Sequence, residues 1–503
     1  MKLKHSLFLT LLAFTSISVN TSPNPVTVKE VYYKQKSATP NDSETLTLRI
    51  FNWEDYISEG DEDDPESFDT LSAFQAHYKE TYGQDVNFIY DTFATNEEMY
   101  NIIKLNGAKY DLIAPSDYMI QRLLREDMLE KFDVDSEGKY TNVPHYSEYV
   151  SHYHLKLFED AGWAEYAVGY LWGTFGLMYN RNVSETVVED VKSWSVLWDQ
   201  SYNKKISIKD AMREGYLVGL FKVYEEELLK LAAEYEAGTI SADDYNLALN
   251  DLLNDVDPDT IKKVDRALRE LKKNIYGLEV DQGKNDMIKG TIAFNTAWSG
   301  DAVYAIYQAA EEVGEDVLRY SIPREGSNIW FDGWVMPKGA NTLLAQRFID
   351  FLSVPEVAIA NMDYIGYTSF IAGEEVLEYV QDYDDLLTEE DSEPGVDLDL
   401  RYFFEGTIPN IDDAIITIKE EYVGGQLATQ YPTHEEVIRS AVMRDFGESN
   451  KLVIDMWANF KATEIQTWML VFTTIIVLGV SAATIYHLVT KQKAARRKRN
   501  LGK

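Results

Sequence analysis

The stretch "YAVGYLWGTFGLMYN", residues 166–180, decides how the chain is read. It carries no charge and mixes small with aromatic residues in extended runs, as strands do when they cross between two lobes. Upstream, from Thr45, short apolar runs alternate with helical patterns: "LTLRIF", "SAFQAHYKETYG", "VNFIY", "NEEMYNIIKLNG", "YDLIAP" and "DYMIQRLLREDML". That alternation predicts an α/β domain with a mixed or parallel sheet. Downstream, residues 222–272 are strongly helical, with Gly238 placed to stop one helix and Ser241 to cap the next. Strand-like runs return at "TIAFNTAW" and "WFDGWVMP", and an apolar helix follows at "LAQRFIDFLS".

The 503 residues include 84 acids against 47 bases, a net charge of −37. Such a surface repels nucleic acid and attracts cations. There is no cysteine, which excludes disulfides, thiolate metal sites, cysteine nucleophiles and an N-terminal lipid attachment point. Residues 1–20, with Lys2 and Lys4 ahead of the apolar run Leu7 to Val19, read as a signal peptide or N-terminal anchor, and 21–44 as a polar spacer. Residues 467–489, "TWMLVFTTIIVLGVSAATIYHLV", contain no charged group and are long enough for a hydrocarbon core of roughly 30 Å. They predict a C-terminal transmembrane helix. The basic tail 490–503 then lies in the cytoplasm and the acidic body outside the cell.

Enzyme signatures are missing. "HEEVIRS" starts like a zinc-protease helix but has Ile438 where a second histidine is required. There is no nucleophile elbow and no phosphate-binding glycine loop. The seven histidines do not cluster, and no cofactor or metal is expected. The acidic stretches 59–69 and 382–393 lack the ligand spacing of a calcium loop and read as solvated loops.

What recurs is an aromatic beside an acid, where strands should end. Trp53, Asp55 and Tyr56 stand in "NWEDY", Asp117 and Tyr118 in "PSDYM", Trp298 and Asp301 in "AWSGDAVY", and Phe331 and Asp332 in "WFDGW". With 33 tyrosines and 10 tryptophans in the chain, any one pair is explained by packing beside a solvated acid. Four at strand ends point instead to one cleft, since open α/β sheets bind ligands at the carboxyl ends of their strands. Aromatic faces stack on hydrocarbon and attract ammonium, and carboxylates fix charged ends. The implied ligand is a slender amine with several charges, and the empty acids are expected to stay in water until a cation arrives.

These segments, with "TNEEMYNIIKLNGAKYDLIAPSDYMIQRLLREDMLEKFD", "SWSVLWD", "MIKGTIAFNTAWSGDA", "IPREGSNIWFDGWVMPKGA" and "FIDFLSVPEVAIANMDYIGYTS", resemble in order the spermidine/putrescine-binding proteins of bacterial ABC importers, over about residues 46–370 and more loosely to about 460. The resemblance implies an α/β, two-lobed type II periplasmic-binding-protein fold closing on a polyamine at a hinge. It implies lobe one at 46–158 and 299–349, and lobe two at 159–298 and 350–460. Trp53 and Tyr56 would wall the cleft, with Asp55 facing the ligand, Tyr118 stacking from the loop that carries Asp117, and Trp298 stacking at the centre. Asp301 and Asp332 would hold amines. In "KDAMREGY", Glu214 matches an acid that meets the polyamine, while Ala211 takes the place of another, which leaves open whether Asp210 substitutes for it and whether putrescine or spermidine is preferred. Residues 222–251 and 380–405 are additions to the family pattern.

The implied function is that of a membrane-tethered, monomeric receptor, not an enzyme, delivering polyamine to permease subunits that are driven by a cytoplasmic ATPase. A surface adhesin or sensor that keeps the fold, or a receptor for another cationic solute such as ferric ion held by tyrosines, remains open at this stage.

Overall fold

The computed structural model describes residues 45–462, apart from 62–63, 107–108, 137, 315, 384–385 and 388–393. The N-terminal segment, the candidate span at 467–489 and the basic tail lie outside the described residues. Among the described residues no helix is long and apolar enough to cross a membrane.

An eleven-stranded sheet organises the chain. Its strands are β1 (Leu46–Trp53), β2 (Val86–Phe93), β3 (Leu112–Ile113), β4 (Ala167–Asn180), β5 (Ile206–Lys209), β6 (Gly277–Glu279), β7 (Phe294–Trp298), β8 (Leu318–Ser321), β9 (Ser327–Val335), β10 (Thr368–Ser369) and β11 (Ser440–Val442). The order is β2-β1-β3-β9-β4-β7-β5-β6, with β8 and β10 also on β4 and β11 on β9. β1 pairs in parallel with β2 and β3, the pattern expected from apolar strands separated by helices.

β4 covers the uncharged stretch 166–180 almost entirely, and it runs from one set of strands to another. Residues Ala167–Phe175 pair with β9, and Phe175–Tyr179 pair with β7. It is buried along nearly its whole length, as a central strand with both faces covered should be. Gly173 is required there, because a Cβ would run into Ser299 and the Trp330 ring.

Two cores flank this crossing. The first gathers Leu48, Phe51, Phe74, Trp172, Trp334 and Phe348; the second gathers Phe175, Trp194, Phe221, Leu249, Leu268 and Trp457. The helices that matter for the cleft are α1 (Asp117–Arg125), α2 (Met212–Val223), α3 (Glu225–Glu236), α4 (Ala242–Leu253), α5 (Ser299–Gln308), α6 (Thr342–Leu352), α7 (Pro355–Ile365) and α8 (Asn450–Lys461). The added pair α3 and α4 joins the second core through Leu228, Ala232, Tyr245 and Leu249. Ser241 caps α4 by accepting from Asp244 N, and Gly238 turns at φ +65°.

The lobe boundaries differ from those expected. Residues 299–308, expected in lobe one, form α5 and pack with Met178, Met287 and Leu318 on the far side. The cause is β7, which precedes α5 and pairs with the second half of β4. Conversely, most of 350–460, expected in lobe two, belongs to the first core: Phe351, Met362, Phe370, Leu398, Phe403, Ile418 and Tyr431 all lie there. β10 pairs with Trp172 and Leu171 in the first half of β4 and carries that segment with it. The chain returns to the second core from β11 onward, through Ala441, Met443, Phe446 and the α8 residues Val453, Met456, Trp457 and Phe460. The acidic stretch 59–69 is also not a plain loop, since Glu59–Asp61 and Asp64–Asp69 pair as antiparallel strands.

Candidate binding cleft

β1 ends at Trp53, and the chain turns through Asp55, whose φ of +50° is in the left-handed region that aspartate tolerates. Asn52 fixes this turn by donating from Nδ2 to the Tyr56 carbonyl at 3.2 Å and to the Tyr90 hydroxyl at 3.0 Å. Tyr56 is thereby turned inward. Its hydroxyl donates to Asp332 Oδ2 at 2.7 Å, and its ring meets Tyr170 and Tyr367 edge-on, both at 5.7 Å.

Asp332 lies where the β9–β4 register slips between Asp332 and Gly333, a local irregularity of the kind that re-aims a side chain. It is 4% exposed. Oδ1 is buried and makes no hydrogen bond of acceptable geometry, although Ser116 stands close enough to favour the ionised form. Burial dominates and pushes the carboxyl up to about 7. Asp117, the first residue of α1, accepts from the amides of Tyr118 and Phe331 and is 1% exposed. Burial again dominates, against those amides and the Arg213 charge, and pushes it up to about 8.

Tyr118 packs against both cores and so lies at their junction. Its hydroxyl accepts from Asn96 at 3.1 Å and donates to Glu97 at 3.4 Å. The Arg213 guanidinium covers its ring at 4.3 Å and the Phe446 ring at 3.5 Å. The next residue of α2, Glu214, accepts from Trp298 Nε1 at 3.2 Å, and burial raises its pKa. Its charge also acts on Asp332.

Trp298 ends β7, and the Lys209 ammonium lies over its ring at 4.7 Å. Lys209 ends β5, is 1% exposed, and pairs with Asp301 Oδ2 at 2.7 Å and Glu279 Oε1 at 3.2 Å. Burial alone would raise the Asp301 pKa, but Lys209 and Lys284 hold it below the usual range. Tyr367 donates to Asp301 Oδ1 at 3.3 Å. Gly300 makes that contact possible, because a Cβ there would enter the Tyr367 ring.

Tyr56, Asp332, Asp117, Tyr118, Glu214, Trp298 and Asp301 thus form one linked group. The other sequence candidates stand apart. Asp55 is exposed, Trp53 packs on Phe93 at 4.5 Å, and Asp210 is paired with Lys461 of α8 at 2.7 Å. The acids are also not left in water as expected: Asp117, Asp301 and Asp332 are all less than 10% exposed. Three resident cations, Lys209, Lys284 and Arg213, offset part of their charge. Lys209, Arg213 and Tyr367 were not singled out from the sequence. A lysine closing the alternating strand "ISIK" was the available signal for the first of them.

Among the described residues no three histidine or carboxylate side chains are grouped to hold a metal ion. What the arrangement can do is hold a cation between aromatic rings and buried carboxylates.

The known proteins it resembles agree with that chemistry. A family model described as bacterial extracellular solute-binding protein matches residues 73–386. The chain is 28% identical over 324 residues to the spermidine/putrescine-binding periplasmic protein of Escherichia coli (strain K12), covering 64% of this chain and 76% of that protein. It is 26% identical over 337 residues to the putrescine-binding periplasmic protein PotF of the same organism, covering 65% and 78%. The solved spermidine/putrescine ABC transporter substrate-binding protein PotD from Streptococcus pneumoniae is similar at a TM-score of 0.53 and 26% identity, over 83% of this chain and 99% of that one. The chain therefore belongs to the bacterial extracellular solute-binding proteins, two-lobed receptors of ABC transporters rather than enzymes.

Proposed function

We propose that this chain is the polyamine receptor of an ABC importer, capturing an aliphatic polyamine between its two lobes and presenting it to membrane permease subunits. The observation that carries this is Asp332: a buried carboxylate with one unpartnered oxygen, beside a second buried carboxylate and walled by tyrosine rings. Such a group is costly unless a cation completes it. An ammonium on a narrow alkyl chain meets the charge and slides between the rings. Relatives named for spermidine and putrescine support the same solute class.

The receptor is held at the cell surface by the uncharged, largely apolar stretch at 467–489, which keeps it at high local concentration beside its permease. Membrane fractionation tests the tether: the full chain sediments with membranes, and a chain ending at Ala462 is released. Calorimetric titration with putrescine, spermidine and spermine tests the solute. At least one binds, and Trp298→Ala and Asp332→Asn each weaken it while the fold is kept. No binding of any of the three would overturn the reading.

A further inference from the structure

We propose that Lys209 is a built-in ammonium that occupies the amine position at the Asp301 end of the cleft, so that the cleft selects a diamine over a triamine. This rests on the polyamine reading above and narrows it. The surroundings of Lys209 Nζ are those a ligand's terminal ammonium needs. Asp301 Oδ2 lies at 2.7 Å, the Val280 carbonyl at 2.6 Å, Glu279 Oε1 at 3.2 Å and the Trp298 ring at 4.7 Å. Two carboxylates, a carbonyl and an aromatic face leave none of its three protons unused. The group is buried and enters from the end of β5, so no other amine reaches that position while it is there.

The acceptors at this end are also saturated. Asp301 meets Tyr367 and Lys284 as well as Lys209, and Glu279 accepts from Asn295 Nδ2 at 2.9 Å and Gly283 N at 2.7 Å. The Asp332 end is less filled: Asp332 accepts from Tyr56 on Oδ2 but its Oδ1 is unpartnered among the described residues, and Asp117 accepts from two amides, with the Arg213 charge offsetting it only in part. Glu214, bonded to Trp298, stands between the two ends. Anionic capacity therefore serves a ligand at one end and the middle. A further ammonium extended toward Trp298 meets the like charge of Lys209 instead of a free carboxylate.

The test is calorimetric titration of the full chain with putrescine and with spermidine, in wild type, Lys209→Met, and the double variant Lys209→Met with Asp301→Ser. The wild type favours putrescine. Lys209→Met exposes Asp301 and Glu279 and moves the affinity ratio toward spermidine by about tenfold or more, since like-charge contact in a closed site is costly. The double variant removes Lys209 with its nearer partner and leaves Glu279, which still accepts from Asn295 and Gly283; it keeps the fold if the single variant does not, and moves the ratio the same way to a smaller extent. An unchanged ratio in the folded variants, or a wild type that favours spermidine, overturns this proposal and leaves the polyamine reading standing. Failure of the wild type to bind either amine overturns both.

Discussion

The two ends of the cleft hold the same kind of residue in the same degree of burial and behave oppositely. At the end formed by β9 and α1, Asp332 and Asp117 are pushed up to about 7 and about 8 by burial. At the end formed by β5 and β7, Asp301 is held below the ordinary carboxylate range, because Lys209 and Lys284 outweigh the same burial. Glu279, at 3.2 Å from Lys209 and sharing it with Asp301, stays raised. Burial is therefore not what marks a binding end. Unbalanced charge is: Lys209 and Lys284 both face Asp301, whereas Arg213 offsets Asp117 only in part.

The sharpest way to break this contrast is the same substitution at both ends. Asp332→Asn removes an acid that the fold already prefers protonated. Near pH 8 the unliganded protein gains about 1 kcal/mol or more in stability, since each unit of pKa elevation is worth roughly 1.4 kcal/mol. Amine affinity falls about a hundredfold, in line with the roughly 2–5 kcal/mol lost when one partner of a buried charge pair is truncated. Asp301→Asn strips Lys209 of its nearer partner and destabilises the fold by about 3 kcal/mol, the lower part of the range for breaking a buried pair, because Glu279 remains. Thermal unfolding and calorimetry read both quantities. Shifts of melting temperature in the same direction for the two variants would show that the ends are not different in kind.

pH separates the ends without mutation. The ordinary aspartate value is 3.8, and the folded values at the open end are about 7 and about 8. Below 3.8 these acids are protonated folded and unfolded alike. As pH rises from there, the unfolded chain ionises freely while the fold retains its protons. The contribution of Asp332 and Asp117 to stability therefore declines through this window and levels off above about 8. Amine binding runs the other way, because only the ionised carboxylates pair with ammonium, so affinity climbs between about pH 6 and 8. Asp301 adds nothing to either slope there, since it is already ionised. Titrations at half-unit intervals from pH 5.5 to 8.5 check this, and a flat affinity profile would place the amine on some other group.

The reading of 166–180 as a crossing segment survives because the property is local: an uncharged run of small and aromatic residues has to be covered on both faces. The caps at Gly238 and Ser241 are local too. Lobe membership is not. The helical pattern of α6 says that Phe348 and Phe351 are buried but not that both pack on Phe74, and the segment after α6 is tied to the first core by the two residues of β10 pairing with β4. The cleft divides the same way. Acids within a few residues of aromatics are visible in the sequence, and Tyr56, Asp117, Tyr118, Trp298, Asp301 and Asp332 all carry that signal. Lys209 and Asp301 are 92 positions apart, and a pattern built from acids and aromatics has no place for a cation that cancels one of them. Trp53 fits the pattern yet packs on Phe93, because β2 runs beside β1 and sets Phe93 against Trp53 in register.

The smallest expected effect concerns Asp55, which the sequence put in the cleft and the structure leaves exposed at the turn after β1. Asparagine adopts a φ of +50° as readily as aspartate, so Asp55→Asn keeps the turn that aims Tyr56 and removes only the charge. An exposed carboxylate faces water and salt, and in physiological salt its field fades within roughly 8 Å. Amine affinity in Asp55→Asn therefore stays within about twofold of wild type, and the change shrinks further at high salt. A loss of about tenfold would mean that the turn swings inward when the amine binds, bringing Asp55 to the end of the cleft that already carries Asp332 and Asp117. The excess of unpaired acid at that end would then be larger than the structure shows, and the contrast with the Lys209 end deeper.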